Sequence, residues 1–468
     1  MNDIENKFDK VFESLRQNAP NVAKTNFRTR CNKLKKVEKA LMVHRDAIKD
    51  ALYKDFKKTA AEVDLSEIYP ILQESKFIRK RLNDWMSLHP VPTPLTLLGS
   101  KSWIRYEPKG VVLIIAPWNF PLNLTLGPLL AAIAAGNTVV LKPSEVTPHT
   151  ATLIRKIIQD IFPSNEVHVE EGDASVAQAL LKLPFHHIYF TGSPNIGKEV
   201  MKAAANHLSS ITLELGGKSP TIIDETADLN IAAKRIAWAK FINNGQICIA
   251  PDYVFIHQSI KDQFVKKVKY YLVKYFGEAV KTSPDYCRMV NQKHFDRVSG
   301  YLDNALQEGG KVEWGGSTNA VELLIEPTLI SGMKPTSDLL THEIFGPILP
   351  VVTYDQLHEA IAFINAKEKP LALYIYSKSQ KNIKAISQQT RAGATSINSS
   401  IVHYMNHHLP FGGVNNSGIG KGHGWYGFEA FSNARAEYRQ VIPGAMDLLA
   451  PPYNGWKKKL IDFTLKWL

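Results

Sequence analysis

From Gly110 to Gly197 the chain alternates short apolar, β-branched runs with helical stretches, and no other feature narrows the fold as much. GVVLIIAPWNFP (110–121) opens with a run, Val111 to Ile115, that has no polar face. Such a strand must be covered on both sides, which is how the strands of parallel α/β sheets read. LGPLLAAIAAGNTVVLKPSE repeats the unit as a helix, a Gly136-Asn137 stop and a strand from Thr138 to Leu141. A helix at 152–161, a strand from Glu166 to Glu170, a helix at 174–182 and the strand HHIYF (186–190) continue it. TGSPNIG (191–197) then turns into a further helix. This alternation predicts a doubly wound sheet. It resumes after Cys248, with strands at 253–257, 371–377 and 393–398 and strand-like segments near 321–330 and within 341–354. The helices between them are expected at 260–275, 292–306, 356–364 and 380–390. A chain of 468 residues exceeds what one compact core usually holds, so a second α/β unit is expected.

Before the alternation, residues 1 to about 86 read as three amphipathic helices. Phe8, Val11, Phe12 and Leu15 mark the first, Leu41, Ile48 and Leu52 the second, and Ile68, Ile71, Leu72 and Phe77 the third. Prolines 90, 92, 94 and 108 bracket KSWIRYEP, a strand pair or arm. LPFGGVNNSGIGKGHG (409–424) is a glycine-rich loop, and a closing helix and strand are expected after it. In NGWKKKLIDFTLKWL the residues Trp456, Leu460, Phe463 and Trp467 share one helical face, a pattern suited to a membrane surface or a partner helix. Fifteen residues cannot cross a bilayer, and nowhere do 18 apolar residues run uninterrupted. The N-terminal MNDIENKFDK has no apolar signal core, so neither secretion by that route nor a membrane span is expected.

The net charge of +12 raises the question of nucleic acid. The basic residues, however, are mixed with acids on helices, as in RKRLNDW (79–85), and no basic platform interleaved with aromatics is visible. The reading is a solvated basic surface that favours anionic cofactors or lipid, with no nucleic-acid partner. Cys31, Cys248 and Cys287 are too few and too scattered for a disulfide framework or a zinc site, which fits a reducing, cytoplasmic setting.

The chemistry concentrates between Ile211 and Pro251. Glu214 lies between Leu213 and Leu215 on a predicted strand that breaks at Gly216-Gly217, and a helix with an apolar stripe from Ile231 to Phe241 follows. Asn243-Asn244-Gly245 ends that helix, and Cys248 arrives between Ile247 and Ile249. Alone, such a cysteine reads as a buried structural residue and such a glutamate as one pointing out of an edge strand. Together, 34 positions apart, they can be the two halves of one thioester chemistry.

LELGGKSP (213–220) and GQICIAP (245–251) resemble the glutamate and cysteine signatures of the aldehyde dehydrogenase superfamily, in its order and separation. CIAPDY (248–253) is similar to the class 3 and fatty-aldehyde branch in particular. Five motifs in order carry the resemblance over about residues 20 to 440, and NNSG (415–418) departs from the more usual GxSG. The resemblance implies a Rossmann-type cofactor domain (1–213, with 88–108 in a small oligomerisation arm) and an α/β catalytic domain (214–415). It further implies a return to the arm and cofactor domain (416–445), followed by an amphipathic tail (446–468).

It also implies the roles. Cys248 is the nucleophile, and the Asn119 side chain with the Cys248 backbone N–H forms the oxyanion site. Glu214 is the general base that activates water. Gly192, Ser193 and Gly197 form the altered Rossmann turn at a helix N-terminus, and Lys142 and Glu145 reach the adenosine ribose. Glu343 and Phe345 in EIFGP hold the nicotinamide-side ribose and ring. Read without the resemblance, PWNFP and EIFGP are turns at strand ends and the glycine turn is a weak motif. An acidic Glu145 favours NAD over NADP, although the branch tolerates both. His403, His407 and His408 lie close together, but no HExxH or CxxC accompanies them, so no metal is expected and they are assigned to the substrate mouth.

The function expected is NAD(P)-dependent oxidation of an apolar, medium- to long-chain or aromatic aldehyde to its carboxylate, by a homodimer with possible peripheral membrane contact through the tail. One alternative is a coenzyme-A-acylating enzyme, members of which generally lack the glutamate. The other is a catalytically silent membrane-associated scaffold.

Overall fold

Val111–Ile115 is an inner strand of a six-stranded sheet whose order is Gly418–Ile419, Ser210–Leu215, His187–Gly192, Val111–Ile115, Thr138–Lys142, Val167–Val169. The computed structural model describes residues 2–444, 447 and 450–467, without the side chains of residues 2–6 and of Trp467. Every pairing in this sheet is parallel except that of Gly418–Ile419 with Ser210–Leu215. Alternation along the strands explains why they lack a polar face. Val112, Ile114, Val139 and Leu141 enter one apolar core beneath the N-terminal helices. Val111, Leu113, Ile115 and Val140 enter a second core on the opposite face, with Phe8, Phe12 and Leu15.

The chain leaves Val111–Ile115 toward Thr138–Lys142 and later returns to add His187–Gly192 on its other flank. The strand order therefore reverses at Val111–Ile115, and ligands of open α/β sheets sit at the carboxyl ends of the strands at such a point. Asn119 and Ser193 follow those two carboxyl ends.

A second sheet of seven strands takes the chain from Pro220 to Ile397, in the order Lys311–Trp314, Thr328–Ser331, Ile348–Tyr354, Tyr253–His257, Pro220–Ile223, Ala372–Tyr376, Ala394–Ile397. Its pairings are parallel apart from the first. A third sheet of three antiparallel strands joins His89–Val91, Ser100–Pro108 and Ser432–Gln440.

The N-terminal region departs from expectation. It has four long helices, Asn2–Ala23, Phe27–Val43, Arg45–Phe56 and Tyr69–Trp85, with a short helix and a π-helical turn (Ala60–Ile68) before the last. Leu41, Ile48 and Leu52 keep helical spacing across a break of one residue, His44, whose N–H bonds Ala40 O. No Gly or Pro marks that break, so periodicity alone runs through it. The C-terminal Gly455–Trp467 is helical, with Trp456, Phe463 and Leu465 exposed; Trp467's side chain lies outside the described residues. Among the described residues no helix is long and apolar enough to cross a membrane.

A buried ion pair ties the helical layer to the loop after Val111–Ile115. Lys58 Nζ lies 2.8 Å from Glu67 Oε1, with both side chains 0% exposed. Glu67 Oε2 accepts the Asn123 N–H at 2.9 Å, and Lys58 Nζ sits 4.0 Å from the Phe120 ring centroid. Breaking such a pair leaves an uncompensated buried charge, whereas removing both charges does not. Glu67→Gln should therefore cost about 3–5 kcal/mol in urea unfolding, and Lys58→Met with Glu67→Leu should recover most of it. A loss below about 1 kcal/mol for Glu67→Gln would show that the pair is not a strut.

Candidate active site

The turn that presents Cys248 is strained and heavily braced. The helix Leu229–Phe241 gives way to Asn243 (φ 51°), Asn244 (φ 54°) and Gly245 (φ 70°), three left-handed residues in a row. Asparagine tolerates that region better than most side chains. Position 245 admits only glycine, because a Cβ there would lie 2.3 Å from Gly346 O. Side-chain amides hold the turn: Asn244 Nδ2 donates to Cys287 O at 3.0 Å, and Gln246 Nε2 to Asn243 O and Arg288 O at 3.0 and 3.1 Å. Gln246 Oε1 accepts the Val290 N–H at 3.0 Å. Asn119 Nδ2 donates to Gln246 O at 2.9 Å, and Asn243 Nδ2 donates back to Asn119 O at 2.9 Å. An amide has two N–H bonds, and this contact uses one of those on Asn119.

Glu214 is 5% exposed, on the strand Ser210–Leu215, in register with Thr191 on one side and Gly418 on the other. It is therefore not on an open edge. Its Oε1 accepts the Tyr189 hydroxyl at 3.3 Å, while Oε2 is buried without a hydrogen-bond partner. Burial raises the carboxyl pKa to about 8, against the opposing pull of the Lys421 charge and the Tyr189 hydrogen bond. Lys421 Nζ donates to Gly412 O and Gly413 O at 2.5 and 2.8 Å.

Cys248 and Glu214 both line one cavity of about 610 Å³, with Phe120, Trp238, Tyr404 and Phe411 among its apolar walls. The cysteine is only partly buried and so remains accessible from that cavity. Its thiol pKa is pushed up by desolvation first, then by the charges of Glu343 and Glu214, so both carboxylates lie within electrostatic reach of the sulfur. The backbone N–H groups of Cys248 and Ile249 work the other way, favouring the thiolate.

The residues assigned to a cofactor lie outside the walls of that cavity. Gly192 ends its strand, and Ser193 caps the helix Pro194–Ala205 in extended backbone (φ −75°, ψ 151°) without a side-chain cap bond. No acid occupies the first turn, so the helix start is open to an anion. A Cβ at Gly197 would meet Leu215 Cδ2 at 2.7 Å, which is how closely this helix packs on the sheet. Lys142, buried at its strand end, pairs with Glu145 Oε2 at 2.6 Å. The Glu343 carboxylate lies against Gly216, and its Oε1 is buried without a partner. Burial, then the Asp252 charge, raises its pKa to about 8. Phe345 has φ 45° and an edge-on contact with Trp118 at 5.4 Å, and Arg297 holds the carbonyls of residues 343–345. An uncapped helix start, an orphaned buried carboxylate oxygen and an aromatic ring together fit a dinucleotide.

Tyr189 and Lys421 were not singled out from the sequence, and nothing local marks them, since each acts through a partner on another element. Asn243 and Gln246 stood in quoted stretches, but their bracing of the Asn119 loop did not show there. Of the three clustered histidines, only His407 lines the cavity, and His423 joins it.

The aldehyde dehydrogenase family profile matches residues 3–436. The 4,4'-diaponeurosporen-aldehyde dehydrogenase of Staphylococcus aureus is 41% identical over 465 residues, 99% of each chain. The dimeric NADP-preferring aldehyde dehydrogenase of Rattus norvegicus is 43% identical over 407 residues, 87% of this chain and 89% of that one. The solved substrate-bound state of Staphylococcus aureus AldH has a TM-score of 0.93 at 40% identity, covering 97% of this chain and 99% of that one.

The Tyr189 hydroxyl favours ionised Glu214, so Tyr189→Phe should move the Glu214 titration further above 8, by about half a unit to one unit. Carboxyl infrared difference spectra recorded against pH read this directly. An unchanged or lowered midpoint would remove Tyr189 from the site.

Proposed function

The chain belongs to the aldehyde dehydrogenase family and oxidises aldehydes with NAD(P); on that premise we propose the roles of its residues and the class of its substrate. The observation that carries the reading is one apolar cavity shared by a thiol and a buried carboxyl. After its thiol proton passes to water, the Cys248 thiolate adds to the aldehyde carbon, and the negative charge that forms on oxygen meets the second N–H of Asn119 and the Cys248 backbone N–H. Bound NAD(P) supplies the hydride acceptor. Once the aldehyde carbon has lost its hydride, it is held on Cys248 as a thioester. Glu214 then takes a proton from water as the water oxygen bonds to that carbon, the C–S bond breaks, and the carboxylate leaves. A pKa near 8 makes Glu214 a base matched to mildly alkaline conditions.

For the cofactor, Ser193 and the open helix start take the pyrophosphate, with Gly192 and Gly197 allowing the approach. Lys142 and Glu145 take the adenosine ribose, and Glu343 and Phe345 the nicotinamide side. The acidic Glu145 supports NAD, while the rat relative is named for NADP. The division into 1–213, 214–415 and 416–445 rests on sheet membership, the first sheet taking strands to Leu215 and the second those from Pro220 to Ile397. A homodimer is supported by the rat relative's name, and the exposed strand Ser432–Gln440, paired with Ser100–Pro108, is the surface we assign to it.

The apolar walls support medium- or long-chain aliphatic or aromatic aldehydes. A buried glutamate beside the thioester supports hydrolysis over transfer to coenzyme A. Free cysteines support a reducing, cytoplasmic setting. The tail, with Trp456, Phe463 and Leu465 exposed beside Lys457, Lys458 and Lys459, supports contact with an anionic lipid surface.

NADH formation across aldehydes of increasing chain length tests the substrate class. Cys248→Ala should abolish turnover. Glu214→Gln should keep one rapid equivalent of NADH and slow the steady state by about 10²–10⁴. A Glu214→Gln enzyme with normal steady-state turnover would overturn the assignment. The full chain should sediment with anionic vesicles more than a chain ending at Ala450, and equal sedimentation would remove the membrane contact.

A further inference from the structure

Glu74, His407 and His423 reach one point from three places: the helix Tyr69–Trp85, the turn after Val402–Met405, and the residue before the helix Gly424–Ala430. Their ligand atoms all lie within 4.8 Å of one another. Glu74 is 7% exposed. Its Oε1 is accounted for, accepting the Gly424 N–H at 2.7 Å. Its Oε2 pairs with His407 Nδ1 at 2.5 Å, and His423 Nδ1, in the same cluster, is buried without a hydrogen-bond partner. A carboxylate paired with one imidazole thus stands beside a second imidazole nitrogen that has no partner, which is rare for a buried polar atom. His423 is also held at φ 69°, a strained backbone for a side chain of its size.

Two imidazoles and a carboxylate form a donor set for Zn²⁺ and its neighbours, unlike the all-oxygen sets of Mg²⁺ and Ca²⁺. We propose that Glu74, His407 and His423 bind one divalent transition-metal ion of the Zn²⁺ class, with a remaining coordination position open to the substrate cavity that all three residues line. Ligand distances of about 2.0–2.2 Å require Glu74 Oε2 and His407 Nδ1 to part by roughly an ångström, a side-chain movement. Occupancy cross-links the helix Tyr69–Trp85 to the loop before Phe411 and to the Gly424 helix, fixing one wall of the cavity. The aldehyde chemistry itself needs no metal, so the site bears on the wall and not on the reacting carbon.

Cobalt(II) is the probe, added to full-length Cys248→Ala protein so that the catalytic thiol cannot serve as a ligand. One Co²⁺ per chain should survive gel filtration, give a visible d–d band, be displaced by Zn²⁺, and raise the thermal midpoint with metal concentration. Glu74→Gln and His423→Gln should each weaken binding at least about tenfold, while His408→Gln leaves it unchanged. Anomalous diffraction from Co²⁺-soaked crystals of the Cys248→Ala protein locates the ion even if a ligand variant fails to fold. No retained Co²⁺, a band unaltered in both ligand variants, or an anomalous peak away from these three side chains overturns the proposal.

Discussion

The left-handed run Asn243-Asn244-Gly245 is the constraint on which the rest of the site depends. Non-glycine residues in that region are unfavourable, and this turn has two of them in succession. It persists because amide side chains bind it to two other parts of the chain, the Asn119 loop and the Cys287–Val290 segment. The bonds run both ways between Asn119 and the turn, so the loop from the first sheet and the cysteine turn share one position. Neither can move without leaving buried amide groups unpaired. The Asn119 amide and the turn that carries Cys248 are thereby held in fixed relation.

Below that turn, electrostatics is governed by dryness. Cys248, Glu214 and Glu343 are three acids in a poorly solvated space, and burial is the largest cause of the raised pKa of each. The charges of Glu343 and Glu214 also push the Cys248 thiol up. With both carboxyls raised to about 8, near-neutral solution keeps them largely protonated and lessens their repulsion of a thiolate. The same burial that raises the Glu214 pKa thus limits how far its charge hinders the sulfur.

Much of this was legible in the sequence, and the reason lies in locality. Val111–Ile115 and the first four residues of Thr138–Lys142 are strand because each is apolar or small enough to be covered on both faces, a property read within five positions. Cys248 and Glu214 stand in local patterns dense enough to be recognised. The helix break at His44 was hidden because apolar spacing continues through it. Tyr189 looked like one more strand residue, since its hydroxyl acts on a carboxylate 25 positions away. The Lys58–Glu67 pair reads on paper as ordinary surface charge.

The Glu74 cluster shows where sequence reading ends. Glu74 and Gly424 are 350 positions apart, and the three donors follow no fixed spacing. His403, His407 and His408 attracted attention because they are adjacent, yet only His407 belongs to the buried convergence. His423, outside that group, supplies another member. Adjacency in the chain selects what is easily seen, whereas a ligand set is selected by where lone pairs point after folding. The helix Tyr69–Trp85 and the loop before Phe411 carry apolar cavity walls as well as these polar atoms. Any group that draws the three donors together therefore also shifts the walls of the cavity that Cys248 lines.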